Sequence, residues 1–251
     1  AAASGQKGEN IDQALRRREF EVLPAGGLSQ RTRAMLKVQD GCVNFCSYCI
    51  IPYTRGPVRS APLELAVEQA KELAERGYRE IVVTGIEIAS WGADLPGKPP
   101  MTDMVAAICE AVPHVRIRLG SLEPTIATVE FSRALAELPK VCPQFHLALQ
   151  SGSNTVLARM ARRYNMTMYM QAVANLRAAF PMAAFTTDVL TCFPGETEEE
   201  YEETRQTIRD VGYAKIHVFP YSPREGTKAA VMPGQLSKAV KERRTRELIA
   251  L

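Results

Sequence analysis

From Leu36 onward the chain alternates short apolar runs with longer stretches in which apolar residues recur every three or four positions. The short runs fit buried β-strands and the longer ones amphipathic helices. Strands are predicted over 35–39, 80–85, 115–119, 144–150, 184–191 and 215–221. Helices are predicted over 62–76, 102–112, 126–138 and 198–211, with a helical pair across 154–180. In the helix over 62–76, Leu63, Val67, Ala70, Leu73 and Ala74 fall on one face, and Gly77 ends it. Strands alternating with helices predict an α/β fold with a parallel sheet and crossover helices. Six such units are too few to close an eight-stranded barrel, so the expected architecture is an open partial (β/α)6 TIM-type barrel.

The flanks read differently. Residues 1–34 hold a short helix around Asn10 to Glu19, the segment Phe20-Glu21-Val22 and a Gly26-Gly27 break, with no periodicity long enough for a core of their own. The expected division is a leader over 1–34, an α/β core over 35–232 and a basic helix over 233–251. With 251 residues, 46% hydrophobic and 24% charged, the chain can bury a full barrel core. No apolar run approaches a membrane span and the first residues are too polar for a signal peptide, so a membrane partner is not expected. Six cysteines, three of them in one loop, fit a reducing cytoplasmic location better than a disulfide framework.

A net charge of +3 predicts little by itself, but basic residues cluster at Arg16-Arg17-Arg18, Arg31 with Arg33, Arg55 with Arg59, Arg162-Arg163 and Lys241 to Arg246. Such clusters can follow a phosphate backbone; the first and last read equally well as solvated helix faces.

The chemistry concentrates in VQDGCVNFCSYCIIPYTRG, where Cys42, Cys46 and Cys49 are spaced CxxxCxxC after an Asp40-Gly41 turn, with Tyr48 beside the last cysteine. Three thiolates are one short of a closed tetrahedral metal site. A cubane iron–sulfur cluster held by three cysteines leaves one iron without a protein ligand, free to chelate a small molecule and pass it electrons. Cys109 and Cys142 lie in apolar surroundings and read as small core residues.

CxxxCxxC with an aromatic before the third cysteine resembles the signature of the radical S-adenosylmethionine (SAM) superfamily, and QDGCVNFCSYCIIPYTRGPVRS resembles its methylthiotransferases. The resemblance runs almost continuously over 20–251 and implies the superfamily's partial barrel, a 4Fe-4S cluster on Cys42, Cys46 and Cys49, and SAM as co-substrate. Chemistry in parallel barrels sits at the carboxyl ends of the strands. There the resemblance implies that the backbone of Gly85 and Ile86, with Glu87, receives the SAM amine, and that Ser121 and Glu123 of the SLEP segment contact SAM or substrate. Gln150 and Ser151 would let ligand backbone approach, Arg162 would meet the SAM carboxylate, and Val218 and Phe219 would wall the adenine. Asp188, a carboxylate in an apolar strand, must be paired or face the barrel interior, with a role near SAM or as a proton acceptor on the substrate. His217 reads most simply as a core histidine, and Thr197 with Glu200 as a capping box.

Cys192 departs from the family, which usually has Gly within this motif, and a side chain there is expected to narrow the approach of the adenosyl group. TGIEIASWG, RLGSLEP and HVFPYSPREGT are most similar to enzymes that methylthiolate C2 of N6-threonylcarbamoyladenosine in tRNA. The isopentenyladenosine and ribosomal-protein aspartate enzymes are the alternatives, as is a non-catalytic tRNA-binding iron–sulfur module. The implied partners are the tRNA anticodon stem-loop and an electron donor such as flavodoxin or ferredoxin. No cysteine precedes Cys42, so the second, auxiliary 4Fe-4S cluster that such enzymes carry in an N-terminal domain is not expected from this chain; nor is their small C-terminal RNA-binding domain.

Overall fold

The computed structural model describes residues 14–23 and 32–251. In chain order the strands are β1 (Arg33–Lys37), the two-residue β2 (Gln39–Asp40) and β3 (Arg59–Ser60), β4 (Glu80–Thr84), β5 (Arg116–Leu119), the two-residue β6 (Ser121–Leu122), β7 (Gln144–Leu147), β8 (Ala184–Thr191) and β9 (Lys215–Pro220). The α-helices are α1 (Ile51–Arg55), α2 (Leu63–Glu75), α3 (Met101–Ala111), α4 (Val129–Ala136), α5 (Asn154–Arg159), α6 (Met166–Ala179), α7 (Glu198–Val211) and α8 (Lys238–Ile249).

Strands β1, β4 and β5 pair in parallel, as do β6 through β9, while β2 and β3 form a small antiparallel pair. Gly120 alone separates β5 from β6, and a parallel Ile117–Val141 bridge ties β5 to the segment entering β7. The six long strands therefore follow one arc in sequence order. Among the described residues no ladder joins β9 back to β1, so the barrel is open, as the count of units predicts.

Two-residue alternation gives the arc two distinct faces. On β8, Phe185, Thr187, Val189 and Thr191 are buried while Ala184, Thr186, Asp188 and Leu190 are half-buried. Phe185 and Val189 join Ala34 and Leu36 of β1 in one core with the helices, where Leu73, Ile108, Leu135 and Leu176 are fully buried. The other set lines the concave lumen.

Several predicted boundaries shift for local reasons. The strand over 144–150 stops at Leu147 because the buried Thr187 hydroxyl enters the ladder, donating to Leu147 O at 2.6 Å and accepting from Leu149 N at 2.9 Å. Gln150 then rejoins β8 through a bridge to Val189. The helix over 126–138 divides: Pro124–Ile126 forms a 3-10 turn, and Thr128 caps a new helix by accepting from Phe131 N. Of the helix around Asn10 to Glu19, the described residues contain a 3-10 turn at Ala14–Arg16; Asn10, the Gly26-Gly27 break and Arg31 lie outside the described residues.

The Thr197–Glu200 capping box forms in both directions at the start of α7. Glu200 also takes Arg159 Nη2 at 2.6 Å, and this bond pulls its carboxyl down to about 2, from an ordinary 4.5. A depressed carboxyl stabilises the fold fully above its unfolded pKa and loses that contribution as pH falls through the folded one. The melting-temperature advantage of wild type over Glu200→Gln, which keeps the capping box, is therefore expected to be constant above about pH 5 and to vanish towards pH 2.

Candidate functional site

The cysteine loop leaves β2 at the carboxyl end of β1 and is pinned by contacts distant in sequence. Gly41 must be glycine: its φ is +75°, and a Cβ there would sit 1.8 Å from Pro57 O. Asp40, buried at 1% exposure, anchors the turn by accepting from Gly41 N at 2.8 Å and pairing with Lys37 at 2.7 Å. Burial works against its charge, but the bonds from Lys37 and Gly41 and the nearby Arg59 hold its carboxyl below the usual range. Further along, Ser47 N and Oγ donate to the carbonyls of Met160 and Arg159 at 2.9 Å each, and Ala229 N donates to Ser47 O at 2.8 Å. The loop is thus fixed to the end of α5 and to the segment after β9.

Cys42, Cys46 and Cys49 are free thiols, Cys46 buried and the others half-buried. Burial pushes the Cys42 thiol up to about 11 and raises Cys49 as well, so metal binding would have to displace their protons. Among the described residues no three His, Cys, Asp or Glu side chains are grouped to hold a single metal ion. A cubane places each thiolate on a different iron, and three free thiols on one anchored loop fit that donor set.

Around the thiols stand residues from three other strand ends. Arg162, after α5, has a buried side chain that donates to Glu123 Oε2 at 2.5 Å, Cys46 Sγ at 3.2 Å and Tyr48 Oη at 3.4 Å. Its guanidinium lies 4.9 Å from the Tyr164 ring centroid, and its Nε is buried without a partner among the described residues. Glu87, near enough to Cys42 to raise its thiol, is itself pushed up, first by burial and then by Glu123. Burial likewise raises the Tyr48 phenol, whose ring meets Phe193 edge-on at 6.4 Å. Tyr48, Glu87, Glu123 and Arg162 are thus gathered beside the three cysteines. Gly85 packs on Gln39, where a Cβ would lie 2.8 Å from the backbone oxygen, and Ile86 is exposed at the rim.

Other predicted residues are placed elsewhere. Ser151 is fully buried, its hydroxyl 3.2 Å from Thr204 Oγ1 of α7, so it fastens loop to helix and leaves no hydroxyl for a ligand. Val218 packs on the helix side of β9 against the core, opposite Phe219, which is 52% exposed; an adenine wall would come from Phe219 alone. Ser121 is exposed, and Gln150 adopts a left-handed backbone with φ 62°. Asp188 faces the lumen with His146 Nε2 at 3.5 Å, and His217, opposite Asp188 in the ladder, is exposed rather than in the core.

Cys192 does not narrow the lumen. Its side chain is fully buried, near Glu196, Arg244 and Lys241, and its φ is +61°, which explains why glycine suits this position. Glycine ordinarily lowers stability relative to alanine, but here it relieves a left-handed backbone worth about 1–2 kcal/mol. Cys192→Gly is therefore expected to melt at or above Cys192→Ala in thermal denaturation.

Sequence reasoning missed the lumen's polar lining, Glu80, Arg118, Gln144, His146 and Thr186. For Arg118, Gln144 and His146 the signal was the two-residue alternation in Arg116-Ile117-Arg118 and Gln144-Phe145-His146, where every second residue is polar; Glu80 and Thr186 carry no such signal.

Comparisons with known proteins find relatives over most of this chain. Threonylcarbamoyladenosine tRNA methylthiotransferase MtaB of Bacillus subtilis (strain 168) is 41% identical over 242 residues, 96% of this chain and 53% of that protein. A tRNA-2-methylthio-N(6)-dimethylallyladenosine synthase of Carboxydothermus hydrogenoformans is 40% identical over 219 residues, 87% of this chain and 50% of that protein. The chain spans about half the length of the curated relatives it matches. Among solved structures, the radical SAM methyltransferase TsrM from Kitasatospora setae, with cobalamin and a 4Fe-4S cluster bound, superposes with a TM-score of 0.65 at 16% identity, over 78% of this chain and 38% of that one. Coproporphyrinogen III oxidase HemN from Escherichia coli gives 0.63 at 12% identity, over 89% of this chain and 52% of that one. Likeness at such identities speaks for the fold alone. Residues 36–208, most of the chain and the whole stretch from the cysteine loop to α7, match the model described as the Radical SAM superfamily, and the chain belongs to that superfamily.

Proposed function

We propose that this chain is the radical SAM core of a tRNA methylthiotransferase acting at C2 of N6-threonylcarbamoyladenosine beside the anticodon. The observation that carries the reading is the gathering of Cys42, Cys46 and Cys49 with Arg162, Glu123, Glu87 and Tyr48 over the open mouth of a parallel barrel. Cys42, Cys46 and Cys49 would hold a 4Fe-4S cluster, which when bound supplies the electron that opens the SAM sulfonium. Glu87, near Cys42 just after β4, would suit the SAM ammonium together with the backbone at Gly85 and Ile86. Arg162, tied to Glu123, suits the SAM carboxylate, with Ser121 and Gln150 at neighbouring strand ends. Phe219 offers a face to adenine, and Asp188 an acceptor to substrate.

The threonylcarbamoyl specificity rests on TGIEIASWG, RLGSLEP and HVFPYSPREGT; relatives named for either tRNA substrate are nearly equally identical. An auxiliary cluster for the sulfur chemistry would lie outside this sequence, which has no cysteine before Cys42, with 1–34 a linker to it and 233–251 a basic helix leading to an RNA-binding part. The partners would be the anticodon stem-loop and a flavodoxin or ferredoxin, in the cytoplasm; among the described residues no helix is long and apolar enough to cross a membrane. The test is equilibrium binding of reconstituted protein to stem-loop RNAs carrying threonylcarbamoyladenosine, isopentenyladenosine or plain adenosine. Preference for the first supports the reading, whereas equal binding of all three rejects the proposed substrate.

A further inference from the structure

One chain of polar contacts crosses the lumen and takes no part in the cysteine site. Glu80 on β4 accepts from Arg118 Nε at 2.8 Å and Nη2 at 3.3 Å, and Arg118 Nη1 donates to Gln144 Oε1 at 2.5 Å. Gln144 Nε2 donates to Thr186 Oγ1 at 2.9 Å, Thr186 Oγ1 lies 3.1 Å from His146 Nδ1, and His146 Nε2 lies 3.5 Å from Asp188 Oδ2. Arginine only donates, so the Gln144 amide must turn its oxygen to Arg118 and its nitrogen to Thr186. Thr186, which accepts from Gln144, has its own proton to give to His146 Nδ1, and in that tautomer the imidazole proton sits on Nε2, on the Asp188 side.

The far end is anchored as firmly. Glu80 also meets Arg33 at 2.7 Å and Arg116 at 3.8 Å; burial opposes its charge, but the Arg118 bonds and three guanidinium charges hold its carboxyl below the usual range. At the near end Asp188 is half-open to the lumen, and among the described residues His146 is its one side-chain ion-pair partner. Beside it stand His217 as cross-strand partner and, two residues before His217 on the same strand, the exposed Lys215.

We infer that this relay positions Asp188 as the hydrogen-bond acceptor that reads the N6–H of a singly N6-substituted adenine, with His217 and Lys215 facing an anionic substituent on that nitrogen. The inference deepens the proposed function and rests on its reading of the lumen as a nucleobase pocket. A bonded carboxylate on an N–H donor contributes about 1.5–3 kcal/mol, and a ligand lacking that hydrogen leaves the carboxylate unmatched, which corresponds to roughly 10- to 100-fold in affinity.

The test uses the whole reconstituted chain and two anticodon stem-loop RNAs, one carrying N6-threonylcarbamoyladenosine and one its N6-methyl derivative, which has no N6–H. Wild type is expected to prefer the first by about 10- to 100-fold, and Asp188→Ala to bind both alike. Thr186→Val, which breaks the relay without touching Asp188, is expected to lower the preference several-fold, and Thr186→Ser to restore it. Circular dichroism of each variant checks that it is folded, and dialysis against SAM reports whether Asp188 serves the co-substrate instead. The inference is overturned if wild type does not discriminate, if Asp188→Ala keeps the preference, or if Asp188→Ala loses SAM binding with the preference intact. SAM cleavage without binding of either RNA would reject the tRNA reading itself, a result distinct from binding without discrimination.

Discussion

Cys42→Ala, Cys46→Ala and Cys49→Ala are each expected to assemble no stable cluster, with iron and sulfide falling to background after anaerobic reconstitution. Removing an outer-shell partner of a metal ligand typically costs 10- to 100-fold in affinity, and removing a ligand itself should exceed that. Folding should survive, because the loop is held by backbone bonds from Cys42 N to Gly56 O, Ser47 N to Met160 O and Ala229 N to Ser47 O, none of which needs a thiol. Cys109→Ala is the matching control. Cys109 is buried in the core on α3, so its loss affects packing and should leave the iron content at the wild-type level. Iron retained at that level in any of the three loop variants would remove that cysteine from the ligand set.

Arg244→Met is expected to be the most destabilising single change outside the core. Arg244 reaches from α8 to Glu196 at 2.8 Å, with side chains only 4% and 1% exposed, and stacks 4.7 Å from the Tyr201 ring centroid. Burial pushes the Glu196 carboxyl up even with the Cys192 N–H and Arg244 beside it, so the acid depends on its partners to stay charged. Breaking a buried pair from one side costs about 3–5 kcal/mol. At about 2–4 °C per kcal/mol for a chain of this size, the melting temperature should fall by roughly 6–20 °C. Glu196→Gln combined with Arg244→Met removes the stranded charge and should recover part of the loss, which a double-mutant cycle measures. A fall of under about 1 kcal/mol in Arg244→Met, the range of an exposed pair, would mean that α8 is not fastened to the barrel by this contact.

The parts of this molecule that sequence alone made legible are those written in local periods and spacings. The six strands, the Thr197–Glu200 capping box and the CxxxCxxC spacing each depend on residues within a few positions of one another. What stayed hidden depends on register and facing. Ser151 looked available until α7 was seen to lay Thr204 against it, and Val218 and Phe219, adjacent in sequence, turn to opposite sides of β9. Cys192 reads as an obstruction only if its side chain enters the lumen; on its left-handed backbone the side chain is buried near Glu196 and Arg244 instead. The Glu80-to-Asp188 relay joins residues on four strands, and no spacing rule links Arg118 to Gln144 or His146 to Asp188 before the strands are paired.

The proposal that the cysteine loop assembles a SAM-cleaving centre is tested most directly by reconstituting the whole chain with iron and sulfide under anaerobic conditions, reducing it with dithionite and separating the products made from SAM. The expected result is 5′-deoxyadenosine formed in step with methionine by wild type and absent from Cys46→Ala. A fully assembled, reduced cluster that leaves SAM intact would contradict the assignment of this site as a catalyst of reductive SAM cleavage.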